Sequence, residues 1–143
     1  IKLKFPDLTM VAYIPAYDLA TADARDVLPA KFPFSEAVAA GSIGNVLVAA
    51  LVAGDMKTAG KMIESDRYHE TYREKLVPHL PILREIGHRT GAMATYLSGA
   101  GPTVISFLPH DKVEEYIDLG KKAGLKDEYR ILQIEREGVH VDR

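Results

Sequence analysis

The 143 residues carry 18 lysines and arginines against 20 aspartates and glutamates, a formal net charge of −2, and contain no cysteine. A chain of this size fits one domain that buries roughly two thirds of its unfolded surface. The balanced charge argues against nucleic-acid binding, which needs a basic face, and the lack of cysteine excludes disulfides and thiolate metal sites, in keeping with a reducing cytosol.

Residues 1–6 lack the apolar run of a secretory leader, and the start at Ile1 without methionine suggests a piece of something longer. Residues 8–14 are apolar and β-prone and stop at Pro15, which reads as a strand. Thr21 is a good N-cap, Asp23 suits the positive end of a helix, and Pro29 is a helix stop, predicting a short helix over 22–28. Ser35 caps a long helix closed by Gly54 and Asp55. Its residues 37–54 form 18 positions without a charge, near the lower limit for crossing a bilayer. Their alanine and glycine content, the polar Ser42 and Asn45, and the flanking Glu36 and Asp55 favour a helix buried in a soluble core over a membrane span. Ala37, Gly41, Gly44 and Val48 put small residues on one face, open to close approach by a neighbour.

Helical spacing resumes over 57–64 through Ala59, Met62 and Ile63, and again over 68–76. Pro78 opens or kinks the next helix, which runs to about Arg89 with Leu80, Leu83 and Ile86 as its core stripe. Strands at 93–97 and 103–108 flank a glycine-rich turn. Pro109 and His110 read as loop, and Asp111 caps a helix over 112–123 with Val113, Tyr116, Ile117 and Lys121 inward. Gly124 ends it, and residues 129–135 alternate as a last strand. The order is βαββαβ with extra helices in the first crossover, an α+β, ferredoxin-like split sandwich in one domain spanning 1–143.

The chemistry concentrates in Ser98-Gly99-Ala100-Gly101-Pro102-Thr103. Glycine permits positive φ and removes Cβ, and successive exposed N–H groups can cradle an anion; a plain hairpin turn is the alternative. Arg25 and Arg73 read by charge pattern as solvated surface residues. Asp66, His69, Glu70 and His79 match no compact metal-ligand spacing and read as a charged helix face.

The glycine segment resembles the third signature of the GHMP kinases, the superfamily of galactokinase, homoserine kinase and mevalonate kinase. Three further blocks are similar to runs of the homoserine kinases and occur in that family's order. Residues 21–29 match T-A-x-A-R-x-x-L-P, residues 47–55 match L-V-A-A-L-x-x-G-D, and residues 69–80 match H-E-x-Y-R-x-x-L-V-P-x-L. The resemblance implies the C-terminal domain of an ATP-dependent enzyme that phosphorylates L-homoserine on the way to threonine. The family's serine- and glycine-rich phosphate loop has no counterpart here. The resemblance thus leaves most of the ATP site, Mg²⁺ binding and the catalytic groups to an N-terminal domain absent from this chain. It implies that Thr21, Arg25, Arg73 and Gly99 hold the substrate, the arginines taking its carboxylate. Ser98, Gly99, Ala100 and Gly101 would close over the phosphates. No catalytic residue and no metal ligand is expected in this chain, which alone should be inactive, and a cytoplasmic homodimer without nucleic-acid or membrane contacts is implied. Two alternatives stay open: another small-molecule GHMP kinase with a different alcohol substrate, and a non-catalytic ferredoxin-like module that binds an amino acid as a regulator. If Arg25, Arg73 and the glycine turn form one site, they should border one cleft suited to a carboxylate or phosphate.

Overall fold

Four segments rich in β-branched and aromatic residues pair into one antiparallel sheet: β1 (Thr9–Ile14), β2 (Ala94–Leu97), β3 (Val104–Leu108) and β4 (Glu128–Leu132). The computed structural model describes residues 5–139 and 141, so the sequence reading of residues 1–4 falls outside it. The sheet order is β2-β3-β1-β4. Met10 pairs with Phe107 on one side and Leu132 on the other, and Leu97 faces Val104 across the β2–β3 hairpin. Placing β3 and β1 between β2 and β4 is the interleaving of a split βαβ sandwich. Every residue of central β3 is buried, as expected of a strand covered on both faces.

The crossovers supply helices α1 (Thr21–Asp26), α2 (Phe34–Ala53), α3 (Met56–Ile63), α4 (Glu70–Arg73), α5 (Leu80–Arg89) and α6 (Val113–Lys122). The predicted stripe Leu80, Leu83 and Ile86 on α5, with Val113 and Tyr116 on α6, packs on Val11, Tyr13, Leu97 and Leu108 of one sheet face. Within that layer the Tyr116 hydroxyl meets Ser106 Oγ at 2.7 Å, and Ser106 Oγ meets Thr95 Oγ1 at 2.9 Å, so the polar groups buried there satisfy each other. The opposite face gathers Ala12, Ile105 and Phe107 with Phe5, Met10, Tyr96 and Leu132. Asp55 caps α3 by accepting from Thr58 N at 3.0 Å, and Gly60 lets α3 lie so close to the Met93 carbonyl that a Cβ would not fit.

Several local expectations shift. Helix α2 starts at Phe34 after Pro33, so Ser35 is not its cap. Pro81, not Pro78, occupies the first turn of α5. Asp111 lies within a 3-10 turn, His110–Lys112, and caps nothing through its side chain. Lys121 is exposed, and the inward place on α6 belongs to Gly120, where the Tyr129 ring leaves no room for a Cβ.

The largest departure is α2. The expectation of a helix buried in the core is not met within this chain. Only Ala40 and Ala50 are fully buried, and the other residues are half-buried or exposed. One side meets α3, whereas Val38, Val48 and Val52 are more than half exposed. Gly41 lies near the Tyr68 hydroxyl, but a Cβ on Gly44 would touch nothing within 4 Å. Composition reports that a helix is apolar; it does not report what covers it. Because Val48 is 57% exposed, Val48→Glu should change the unfolding free energy of the chain by less than about 0.5 kcal/mol. Leu83→Ala, in the core, should cost about 2–5 kcal/mol. Urea denaturation compares the two, and a loss of about 3 kcal/mol at Val48 would place it in a core after all.

Candidate functional site

The segment between β1 and α1 folds back over the rest of the domain. The Tyr17 hydroxyl donates to the Leu76 carbonyl at 2.8 Å, and the Tyr13 and Tyr17 rings meet the His79 ring edge-on at 5.0 and 6.0 Å. Helix α1 then begins after Ala20, which makes no side-chain cap. Thr21 is therefore the first helical residue, exposed at the end of α1, and not the cap its residue type suggests. Arg25 is also exposed, whereas Ala24 between them is fully buried.

Arg73 departs furthest from its reading as a surface charge. It is 8% exposed. Its Nε donates to the Ala24 carbonyl of α1 at 2.8 Å, and its Nη1 donates to the Gly99 carbonyl at 3.1 Å. A guanidinium has five N–H donors in a rigid plane, and among the described residues Nη2 has no protein partner and is not sealed from solvent. One side chain thus ties α1, α4 and the glycine turn together. Neither Arg25 nor Arg73 has a carboxylate partner among the described residues.

The turn itself is closed by Ser98 N to Thr103 O at 2.9 Å and Gly101 N to Ser98 O at 3.0 Å. Gly99 and Gly101 adopt φ of +57° and +86°, a region that favours glycine. Their surroundings differ. Nothing lies within 4 Å of a Cβ on Gly99, but one on Gly101 would sit 2.9 Å from Leu97 Cδ1, close to Val77 and Leu19 as well. Gly101 therefore faces the core, and Gly99 is the exposed tip. Among the described residues the N–H groups of Gly99 and Ala100 meet no protein acceptor, leaving two adjacent donors of the kind that bind an anion. Gly101→Ala should lower stability by both strain and crowding, whereas Gly99→Ala should lower it only by the strain, about 1–2 kcal/mol. Thermal melting of the two variants checks this, and equal losses would contradict it.

Asp66, Glu70 and His79, read from sequence as part of a charged face, hold the site's framework instead. Asp66 accepts from the amides of His69 and Glu70 at 2.8 and 2.7 Å, starting α4. Burial alone would raise the Asp66 pKa; these amide hydrogen bonds outweigh it and hold the carboxyl below its ordinary value. His79 is 5% exposed, and its Nε2 donates to the Pro102 carbonyl at 2.8 Å, which fixes the tautomer. Burial pushes the His79 pKa below its ordinary value, against the opposing pull of that hydrogen bond. No group of three His, Cys, Asp or Glu among the described residues could hold a metal ion. A cleft of about 630 Å³ lined by Asp7, Thr9, His110 and Arg136 shares no residue with this cluster.

The His79 shift has a defined pH signature. Above the unfolded pKa of about 6.5 both states are neutral and the shift costs nothing. As pH falls below that value the unfolded chain takes up the proton first, so stability drops until the folded-state pKa is passed. His79→Gln should remove that component, flattening the stability profile below about pH 6.5 relative to the parent chain. Urea denaturation across pH tests it; parallel profiles would show that His79 does not titrate differently on folding.

Residues 47–123 match the family model described as GHMP kinases C terminal. The chain belongs to that family. A homoserine kinase of Lactococcus lactis subsp. lactis is 48% identical over 137 residues, covering 96% of this chain and 46% of that protein. The homoserine kinase structure from Cytophaga hutchinsonii superposes with a TM-score of 0.78 at 25% identity, over 92% of this chain and 43% of the other. The L. major mevalonate kinase structure shares the fold, with a TM-score of 0.64 at 17% identity over 92% of this chain and 44% of the other. The chain spans about half the length of the curated relatives it matches, and that half is the C-terminal domain. Sequence motifs single out Thr21, Arg25, Arg73 and the turn. They miss Glu70 and His79 as framework, because these bond backbone atoms of the distant Leu97 and Pro102, and Glu70 also the Arg84 side chain of another helix.

Proposed function

We propose that this chain is the substrate-holding half of an ATP-dependent homoserine kinase, which converts L-homoserine and ATP to O-phospho-L-homoserine and ADP. The observation that supports this most is the Arg73 bridge, which brings the α1 segment beside the glycine turn. In this reading Arg25 and the unpaired Nη2 of Arg73 take the amino-acid carboxylate, a planar anion that guanidinium groups suit. Thr21, one turn from Arg25 on the same helix face, offers a hydroxyl to the same molecule, and Gly99 lines its edge. The N–H groups at Gly99 and Ala100, with Ser98 and Gly101 shaping the turn, fit contacts to phosphate oxygens.

ATP, when bound, supplies the phosphoryl group; this half contributes positioning and charge neutralisation, on which phosphoryl transfer depends. Mg²⁺ belongs to the proposal too, and the family resemblance assigns its ligands and the catalytic groups to the remaining half of the protein. That half would also cover the bare apolar face of α2. A cytoplasmic homodimer is part of the same reading. The fold shared with mevalonate kinase keeps a different alcohol substrate as the second reading, because fold alone does not choose a substrate.

The test is phosphorylation of homoserine by the longer protein that contains this chain. Because Arg25 is exposed, Arg25→Ala should leave stability within about 0.5 kcal/mol while raising KM for homoserine about 10- to 100-fold, the worth of a charged hydrogen bond. The 143-residue chain alone should show no turnover. Unchanged KM in the variant would remove Arg25 from the site, amino-acid binding without turnover in the longer protein would favour a regulatory module, and robust activity of the chain alone would place the catalytic groups here.

A further inference from the structure

The outer edge of β2 is a bare sheet edge by topology, since β2 is terminal in the sheet. Such an edge presents unpaired N–H and C=O groups. Here side chains occupy those places. Glu64 Oε1 accepts from Thr95 N at 2.7 Å, Arg84 Nε donates to Thr95 O at 3.0 Å, and Glu70 Oε2 accepts from Leu97 N at 2.8 Å. Arg84 Nη2 also donates to Glu70 Oε1 at 2.6 Å, and Glu64 Oε2 contacts His88 Nε2 at 2.6 Å. Glu70 is 5% exposed, so its charge is kept in place by Arg84 and an amide and not by water.

Glu70 and Arg73 stand three apart on α4, one helical turn. Glu70 grips the last residue of β2, and Arg73 grips the carbonyl of Gly99 two residues further on. The same short helix therefore holds both the stem and the tip of the glycine turn. We propose that Glu70 is a positioning residue. It fixes the exit of β2 at Leu97 and so sets where the Gly99 and Ala100 N–H groups and the Arg73 guanidinium sit relative to a bound anion. Glu64 grips the strand two residues upstream at Thr95 and covers the edge without reaching the turn. The kinetic part of this proposal rests on the reading of residues 98–101 as a phosphate contact; the mechanical part does not.

The mechanical part is read in this chain by amide hydrogen exchange at Ser98 and Gly101, whose N–H groups bond within the turn and do not touch Glu70. Glu70→Ala should speed exchange at both by about tenfold, the worth of one charged hydrogen bond. Glu70→Gln, which keeps an acceptor for Leu97 N but loses the charge facing Arg84, should speed it less. Glu64→Ala should leave Ser98 and Gly101 unchanged while loosening Thr95. In the longer protein Glu70→Ala should raise KM for both homoserine and ATP about tenfold, with partial rescue in Glu70→Gln and no change in Glu64→Ala. If Glu70→Ala does not fold, the contrast between Glu70→Gln and Glu64→Ala decides. Ser98 and Gly101 exchange that is unaffected in a folded Glu70 variant, or equally affected by Glu64→Ala, overturns the proposal. Faster exchange with unchanged KM upholds the clamp and counts against the phosphate reading of the turn.

Discussion

A single buried guanidinium joins three stretches that lie far apart in the chain. Arg73 reaches the backbone of α1 through Ala24 and the glycine turn through Gly99, and both bonds go to carbonyls whose positions are otherwise set by different elements. Burying an arginine is costly unless its donors are matched. The cost is offset here by two hydrogen bonds to backbone carbonyls, while Nη2 retains contact with solvent. Without that bridge, α1 would be a six-residue helix with no side-chain cap, too short to stand by itself in water.

The rest of the domain serves that junction. The α5 and α6 layer fixes β2 and β3 through an apolar core, and the hydroxyl chain from Thr95 through Ser106 to Tyr116 removes unpaired polar groups from it. The terminal strand is held on its outer side by carboxylates and one arginine in place of another strand. That arrangement closes an edge that would otherwise invite pairing, and it ends where the glycine turn begins. His79 adds a last tether from below through the Pro102 carbonyl. The turn is thus hydrogen-bonded at its base and open at Gly99, a distribution suited to meeting a ligand with the backbone.

Much of this is legible in the sequence, for identifiable reasons. Strand residues alternate or run apolar, glycines and prolines mark the turns, and the stripe Leu80, Leu83, Ile86 announces its buried face. The split sandwich comes from the element order alone. The caps expected at Thr21, Ser35 and Asp111 are misplaced, because a side-chain cap contributes only about 1 kcal/mol and neighbouring prolines and tertiary contacts decide the boundary. The burial of Glu70, Arg73 and His79 is not legible, since each is bonded to main-chain atoms that residue type does not encode, and the side-chain partner of Glu70, Arg84, lies on another helix. The exposure of α2 is hidden for a different reason: an apolar helix looks the same whether this chain or another part of the protein covers it. The juxtaposition of Arg25 with Arg73 is a condition on the site, and the fold brings the two residues' elements together through Ala24.

In the proposed function α1, Arg73 and the glycine turn compose one anion-holding site. The most direct measurement is a crystal structure of the longer protein with homoserine and a non-hydrolysable ATP analogue bound. The amino-acid carboxylate should lie in hydrogen-bond contact with Arg25 and with Nη2 of Arg73, and a phosphate oxygen at the N–H groups of Gly99 and Ala100. Homoserine bound elsewhere, with both arginines and the turn free of ligand, would contradict it.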